Sequence, residues 1–193
     1  MSAIVYWDRW QQHPWGSFYL AATRQGLIRL LLPHESLDDL AAWASRYLPG
    51  ASFVEDPVVL TPYRKALDHY FTDRTLPTVP VVWYGTPFQK AVWQALTRIP
   101  QGQTVSYRHI AEAVGHPHAL RAVGTAVGAN PIPILVPCHR VIRHNGTLGQ
   151  YAGGQALKAR LLAWEGVSGP WSNDFTSPSF ASSVDDPGFQ TWP

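Results

Sequence analysis

Residues 106–141, with the sequence SYRHIAEAVGHPHALRAVGTAVGANPIPILVPCHRV, contain the pattern that decides the fold of the second half of the chain. Ser106 is a residue type that caps helices, and the helix formers after it end at Gly115. After a break at Pro117, the small and apolar residues 119–128 indicate another short helix. The stretch therefore predicts two short helices separated by a tight turn.

A further helix precedes this pair. Thr86-Pro87-Phe88-Gln89 forms a capping box with proline just inside it, and apolar residues follow at helical spacing as far as Ile99. The run Pro100-Gln101-Gly102 then ends this helix. Three helices joined by short Gly and Pro breaks predict a mainly α domain with a helix-turn-helix, an arrangement that serves many purposes.

The first part of the chain carries strand patterns followed by helix patterns. Ser36 can cap one helix, and Thr61 and Pro62 predict the start of a second helix as its cap and its first residue. Residues 77–80 are the expected linker. These elements predict an α/β domain over residues 1–80, a small sheet with helices. Its strands are expected at residues 4–7, 18–23 and 27–32.

The remainder divides near residue 168. The mainly α domain is expected over residues 81–168, with a last helix at 157–164. Residues 169–193 are rich in Ser, Pro and Asp and lack periodicity, which predicts a loose tail. Several aromatic residues could pin parts of this tail to the body: Trp171, Phe175, Phe180, Phe189 and Trp192.

Charge and cysteine content narrow the class of protein. The formal net charge of +2 permits a nucleic-acid partner without requiring one, so any DNA contact has to come from a local arrangement of groups. The single cysteine, Cys138, excludes an internal disulfide and a multi-cysteine zinc cluster, and we expect no metal and no cofactor. No secretory signal and no apolar window long enough for a membrane span are visible, so we expect a cytoplasmic protein.

Two interpretations of Cys138 are open. A lone cysteine is most often a small buried hydrophobic residue. Here it follows a strand-like run, Ile134-Leu135-Val136, and a proline, which could hold its side chain at the mouth of a pocket. His139 and Arg140 follow it, and a nearby base or positive charge lowers the pKa of a thiol. Neighbours in sequence need not be neighbours in space, so the residues alone leave both interpretations standing.

The run Asn130-Pro131-Ile132-Pro133-Ile134-Leu135-Val136-Pro137-Cys138-His139-Arg140-Val141 resembles the active-site signature of the O6-alkylguanine-DNA alkyltransferases. This family is also called the methylated-DNA–protein-cysteine methyltransferases. The resemblance is strong over residues 83–167 and weak before them. Further runs match family motifs in the same order: Pro87-Phe88-Gln89 with Val92-Trp93, Gly102-Gln103-Thr104-Val105-Ser106-Tyr107, Arg121-Ala122-Val123-Gly124, Tyr151-Ala152-Gly153-Gly154, and Leu161-Leu162-Ala163-Trp164-Glu165-Gly166.

The resemblance implies a fold and an activity. The expected fold is a ribonuclease H-like α/β N-terminal domain and a winged-helix-like C-terminal domain. The expected activity is DNA repair, in which an alkyl group on O6 of a flipped guanine, or on O4 of thymine, moves once and irreversibly to Cys138. The implied partner is double-stranded DNA containing O6-alkylguanine, bound through the minor groove by a monomer, with cooperative binding left open. The implied setting is a bacterial-type cytoplasm.

The resemblance also assigns roles to residues. Cys138 is the nucleophile, and His139 takes the thiol proton through an ordered water. Glu165 orients the imidazole, Asn130 braces the active-site turn, and Tyr107 donates its phenol proton toward N3 of guanine. The remaining residues implied to bind the substrate are Val141, Tyr151, Ala152, Gly153 and Lys158.

The helix expected at 119–128 is implied to contact DNA. Arg121 is expected to fill the gap left by the flipped base, and small residues let a helix approach a minor groove. The alternative for those small residues is tight packing of one helix against another. Ala152 departs from the family, because several relatives have serine there. The implied DNA-binding set is Ser106, Arg121, Ala122, Gly124 and Thr125.

Two rival functions remain. A Cys-His hydrolase would pair Cys138 with a histidine distant in sequence, and the candidates are His109, His116 and His118, although no hydrolase motif accompanies them. A non-catalytic lesion binder related to the family would replace the cysteine, which this chain retains. One-to-one transfer of an alkyl group to Cys138 separates both rivals from the repair function.

Overall fold

A computed structural model describes residues 3–12 and 14–172. The chain separates into two compact units, with the boundary between Tyr84 and Gly85. Residues 80–82, from the last residue of the predicted linker onward, pair with the first unit, since the Leu27 amide donates to the Pro80 carbonyl at 2.9 Å. The Val82 amide in turn donates to the Leu27 carbonyl at 2.8 Å. The first unit is α/β and the second is mainly helical, in agreement with the coarse prediction.

The first unit is built on a four-stranded sheet. Its strands are β1 (Ile4–Gln12), β2 (Gly16–Thr23), β3 (Gly26–Leu31) and β4 (Ser52–Glu55), in the spatial order β3-β2-β1-β4. The first three pair antiparallel, and β4 lies parallel to β1. The sequence did not predict β4. All four of its residues are exposed, so it has no alternation of apolar and polar residues to detect.

Two helices belong to this unit, α1 (Leu37–Tyr47) and α2 (Pro57–Asp73). Ser36 caps α1 as predicted, within a capping box. The predicted start of α2 at Thr61 and Pro62 is wrong, because Asp56 is the cap and accepts from the amides of Val58 and Val59. Pro62 therefore lies inside α2, where the local pattern resembles a first turn. Helix α1 packs against the sheet through Leu40, in a core with Val5, Ala21, Ile28 and Leu31.

The second unit begins with three helices, α3 (Pro87–Leu96), α4 (Tyr107–Ala113) and α5 (Leu120–Gly128). Thr86 and Ser106 cap α3 and α4 as predicted. The indole nitrogen of Trp93 in α3 donates to the Ala126 carbonyl of α5 at 2.8 Å, inside the core. A short parallel pair, β5 (Val105–Ser106) and β6 (Val141–Ile142), joins the start of α4 to the segment after Cys138. Helix α6 (Gly154–Trp164) starts three residues earlier than predicted.

The strand-like run 134–136 is a turn, which corrects the prediction. Ile134 has φ of 72°, a left-handed conformation that costs a β-branched residue about 1–3 kcal/mol. The side chain of Asn130 supports this backbone: its Nδ2 donates to the Val136 carbonyl at 2.8 Å, and its Oδ1 accepts from the Ile132 amide at 3.0 Å. These bonds close the turn, and the chain then enters a 3-10 helix at Cys138–Arg140.

Of the aromatic residues predicted to anchor the tail, Trp171 is buried against Leu148 and α6. Phe175, Phe180, Phe189 and Trp192 lie outside the described residues. Within residues 3–12 and 14–172, no helix combines the length and the apolar character needed to cross a membrane.

Candidate active site

Cys138 is the first residue of the 3-10 helix, and its side chain is almost wholly buried. Burial raises the pKa of the thiol above its ordinary value, because a thiolate loses solvation there. A hydrogen bond from the Asn130 side chain and the charge of Lys158 act in the opposite direction. The raised pKa keeps the resting thiol protonated at neutral pH, so a nucleophilic Cys138 needs a base to remove its proton.

His139 and Glu165 form a buried pair beside it. The Nε2 atom of His139 lies 2.8 Å from Oε1 of Glu165, and both side chains are fully buried. Arg140 donates two hydrogen bonds to the same carboxylate, from Nε to Oε2 and from Nη2 to Oε1, both 2.8 Å long. Its Nη1 donates to the Ile99 carbonyl at 2.6 Å. Glu165 therefore is not a solvated charge at the end of α6.

The protonation states follow from these bonds. Despite its burial, the hydrogen bonds from His139 and Arg140 hold the pKa of Glu165 down at about 2, so it is an anion. Burial lowers the pKa of His139 below its ordinary value, so the imidazole is neutral at pH 7. A carboxylate can only accept, so Nε2 of His139 must carry the ring proton and donate it. The lone pair that can take a further proton is then on Nδ1.

Lys158 in α6 is fully buried, and its ammonium donates to the carbonyls of Val141 at 2.6 Å and Leu148 at 2.5 Å. Burial lowers its pKa to about 8, with the charge of Cys138 opposing the shift. The sequence suggested Arg140 as a positive neighbour of the thiol, but Glu165 and Ile99 occupy that guanidinium. The cation that favours the thiolate is Lys158, whose ammonium is bonded to the carbonyl of Val141 three residues after Cys138.

Tyr107 begins α4 and is half-buried. Burial raises the pKa of its phenol, and the charge of Cys138 raises it further, so the phenol keeps its proton. Its hydroxyl lies 3.0 Å from the point where a side chain on Gly149 would begin, and Gly149 has φ of 71°. Only glycine fits this position without strain, which leaves the hydroxyl close to the backbone of the turn. Gly149 could not be singled out from the sequence, since its role depends on this contact.

The other residues predicted to bind the substrate lie at the start of α6. Tyr151, Ala152 and Gly153 directly precede α6, and Ala152 is exposed.

Ser106 uses its hydroxyl to cap α4 by accepting from the His109 amide at 3.2 Å. The histidines of the hydrolase alternative, His109, His116 and His118, are all exposed, whereas Cys138 is buried.

The outer face of α5 carries the predicted DNA-binding residues. Arg121, Ala122 and Thr125 are exposed, and the Thr125 hydroxyl is turned back to the Arg121 carbonyl at 3.1 Å. A side chain added at Gly124 or Gly128 would meet nothing within 4 Å. Neither glycine is therefore needed for packing inside the protein, which argues against the helix-packing alternative for these two residues, whereas Ala126 does pack against α3. A hollow of about 650 Å³ lies beside this face, and its lining is Thr86, Phe88, Gln89, His118, Ala119, Arg121, Ala122, Thr125 and Ala126.

A buried thiol with a histidine–carboxylate pair defines a protein that uses a cysteine nucleophile. Residues 87–167 match the family model described as the 6-O-methylguanine DNA methyltransferase, DNA binding domain. The inducible methylated-DNA–protein-cysteine methyltransferase of Bacillus subtilis is 44% identical over 162 residues, covering 83% of this chain and 90% of that protein. The constitutive enzyme of the same organism is 40% identical over 156 residues, covering 80% and 92%.

Solved structures agree with these relatives. Mycobacterium tuberculosis OGT, in a crystal structure with DNA, matches with a TM-score of 0.72 and 37% identity, covering 83% of this chain and 92% of that chain. The O6-methylguanine-DNA methyltransferase of Pyrococcus kodakaraensis has the same fold, with a TM-score of 0.59 at 23% identity, covering 84% and 99%. The chain belongs to the methylated-DNA–protein-cysteine methyltransferase family.

Proposed function

We propose that this protein repairs DNA by moving an alkyl group from O6 of guanine to the sulfur of Cys138, once per molecule and irreversibly. The relatives are named for transfer from methylated DNA to a protein cysteine. This chain contains one cysteine, and that cysteine precedes the buried His139–Glu165 pair. This coincidence of the only thiol with a base is the observation that carries the proposal.

The chemistry begins with removal of the thiol proton. His139 accepts it at Nδ1, directly or through a water, while Nε2–H stays bonded to Glu165 and the resulting imidazolium is stabilised by that carboxylate. Asn130 and Lys158 favour the thiolate that is left behind. A thiolate is a soft nucleophile suited to displacement at a saturated carbon. The sulfur–carbon bond forms as the carbon–O6 bond breaks, and the electron pair leaves on guanine.

The departing guanine needs a proton and hydrogen-bond donors. Tyr107 remains protonated, so it is suited to donate to N3 of the base. The carbonyls of Cys138 and Val141 would accept from the exocyclic amine, and the Ala152 amide would donate to O6. Lys158 supports this arrangement because it fixes the Val141 carbonyl from the buried side. O4-alkylthymine, which also presents an alkylated oxygen, is a second substrate to test.

Contact with duplex DNA is proposed for the outer face of α5. The two glycines that the protein's own packing does not require suit close approach to a minor groove. Arg121 is exposed on this face and would fill the stack after the damaged base flips out. Ser106, Ala122, Gly124 and Thr125 complete the proposed surface. A relative at 37% identity was crystallised with DNA, which supports this partner.

Finer features of the organisation are also proposals. We assign a ribonuclease H-like N-terminal domain (1–80), a winged-helix-like alkyl-transfer domain (81–168) and a tail (169–193). Action as a monomer, with cooperative binding on DNA to be tested, suits repair of isolated lesions. A cytoplasmic location, where a bacterial-type chromosome is reached directly, suits a protein whose substrate is DNA.

Mass spectrometry after exposure to a duplex with one O6-methylguanine tests the function. We expect a single methyl group on Cys138, at most one per chain, and guanine restored in the DNA. The Cys138→Ala variant should still bind the duplex but transfer nothing. Transfer that survives in this variant would refute the assignment of the acceptor.

The rival functions give different results in the same assay. Repeated turnover of an ester or amide substrate, without alkylation of Cys138, would indicate a hydrolase. Binding of the damaged duplex without any mass change would indicate a lesion binder.

We also propose that the protein holds no zinc. A metal assay that finds one zinc per chain would contradict this proposal.

A further inference from the structure

The segment 168–172 lies beyond the part of the chain that matches the family model, which ends at residue 167. It nevertheless contributes to the core. Trp171 is only 6% exposed and packs with Leu148, Ala159 and Leu162. The segment is closed on itself, because the Gly169 amide donates to the Ser172 hydroxyl at 2.9 Å and the Ser172 amide donates to the Gly169 carbonyl at 3.0 Å. It therefore presents Trp171 from a defined local turn.

Leu148 connects this indole to the alkyl-transfer site. Its side chain is 3% exposed and meets Trp171, while its carbonyl accepts from the Lys158 ammonium. The next residue, Gly149, lies against the Tyr107 hydroxyl. The Gly149 carbonyl is bonded to the Gln155 side chain at 3.1 Å. The backbone at 148–149 is thus bonded to α6, and the Leu148 side chain packs in one cluster with Trp171.

The turn that precedes Leu148 has little support of its own. Residues 143–145 are exposed, and the hydrogen bonds of this turn are local. The Arg143 amide donates to the Thr147 carbonyl and the Gly146 amide to the Arg143 carbonyl, both at 2.9 Å. The Thr147 amide and hydroxyl donate to the Asn145 side chain at 3.2 and 2.8 Å. Leu148 is the side chain by which this turn enters the core. Without the indole, the cluster that holds Leu148 would lose its largest side chain.

We propose that Trp171 is a positioning residue for alkyl transfer, because it holds Leu148 and so fixes the 146–149 turn against Lys158 and Tyr107. The inference rests on the proposed function and adds to it a residue outside the matched family domain. Trp171 touches no reacting atom. Its effect is on how well the base pocket is preformed, while the thiol and its proton acceptor lie on a different segment, 138–140.

Two reactions of the single cysteine separate these effects. Free O6-benzylguanine must enter the base pocket to alkylate Cys138, whereas iodoacetamide needs only the thiolate. For Trp171→Ala we expect the half-saturating concentration of O6-benzylguanine to rise about tenfold. The iodoacetamide rate should stay within about twofold, because pocket preorganisation does not enter it. Trp171→Phe should recover most of the affinity for the base, since a ring still covers Leu148.

The controls address general destabilisation. Trp43→Ala removes a half-buried indole from the first unit, and we expect it to leave both reactions unchanged at temperatures well below unfolding. If Trp171→Ala does not fold, Trp171→Leu provides the test, with a smaller rise expected. An unchanged half-saturating concentration in the folded variant would overturn the inference, as would equal losses in the two reactions. Failure of the wild-type protein to take an alkyl group from alkylated DNA would instead overturn the proposed function.

Discussion

Glu165 receives hydrogen bonds from three nitrogen atoms, Nε2 of His139 and two nitrogens of Arg140, in a fully buried position. A carboxylate held in this way costs much to protonate and much to leave unpaired. It also fixes the imidazole in the tautomer whose Nδ1 can accept a proton. The charge state of the site at the residue scale therefore depends on this one carboxylate more than on the thiol itself.

We expect acid to destabilise the protein through two groups of this site. The pKa of His139 is lowered in the folded state, so the unfolded chain binds the proton first as the pH falls below about 6.5 and stability decreases. The pKa of Glu165 falls from 4.5 to about 2, so its contribution is complete above pH 4.5 and is lost as the pH falls toward 2. The Glu165 contribution is at most about 3 kcal/mol.

Urea unfolding between pH 7.5 and pH 3 measures this loss. In Glu165→Gln, the decrease below pH 4.5 should be smaller than in the wild type, because the titrating group is gone. Glu112→Gln, which makes the same change at an exposed position of α4, should retain the wild-type decrease. Identical acid profiles for wild type and Glu165→Gln would contradict the assignment.

Lys158→Met tests the buried cation. Methionine keeps the apolar length but removes the charge that favours the Cys138 thiolate, so the pH midpoint of iodoacetamide reaction at Cys138 should move to higher pH. Transfer from O6-benzylguanine should fall by about tenfold or more, because the Val141 and Leu148 carbonyls lose their common donor. Lys65→Met, at an exposed position of α2, is the matched control. A midpoint that does not move would exclude Lys158 as the relevant charge.

At the scale of elements, local signals predicted helices well and turns poorly. The cap at Ser36 and the capping box at Thr86 are confirmed because a cap and its helix lie within one short stretch. The start of α2 was predicted wrongly because Thr61-Pro62 has the composition of a first turn while Asp56 makes the actual bonds. The turn at 134–136 could not be predicted, since an Ile at positive φ is held there by the side chain of Asn130.

Helix α5 gives a prediction in which stability and DNA binding change in opposite directions. Gly124→Ala should stabilise the protein by about 0.5–1 kcal/mol, because alanine is the better helix former and the added methyl group meets nothing. The same methyl group should weaken binding to duplex DNA, since it projects from the proposed contact face and keeps the helix farther from the minor groove. Thermal unfolding and duplex affinity measure the two effects, and the rate with free O6-benzylguanine serves as the internal control. Stabilisation without any loss of duplex affinity would remove Gly124 from the DNA surface.

At the scale of the whole molecule, the site joins residues that the chain keeps far apart. The order of motifs singled out Cys138, His139 and Glu165, and the structure places the last two in contact across 26 positions of sequence. The roles of Arg140 and Lys158 were not separable in advance, because sequence does not say which cation faces the thiol and which faces the carboxylate. Trp171 was expected only as a tail anchor, since its partner Leu148 had no recognisable function.

Arg121→Ala distinguishes recognition of the duplex from chemistry on the base. We expect repair of O6-methylguanine in duplex DNA to fall by about tenfold or more, because an inserted side chain offsets part of the cost of unstacking. Reaction with free O6-benzylguanine should be unchanged, since no base has to be extruded. Arg98→Ala removes the same charge from an exposed position after α3 and should leave both reactions near wild type. Equal losses with duplex and free base would argue against the insertion of Arg121 into the base stack.

The single cysteine also allows the number of repaired lesions to be counted from the protein itself. Because the chain has one thiol, the fraction of molecules that no longer binds a thiol reagent equals the number of lesions removed per molecule. On the proposed function, the repair capacity of a cell is its number of unreacted protein molecules, and this number falls by one with each lesion removed. A cell's tolerance of an alkylating dose would then saturate sharply at the number of copies present, and recovery would follow the speed of new synthesis.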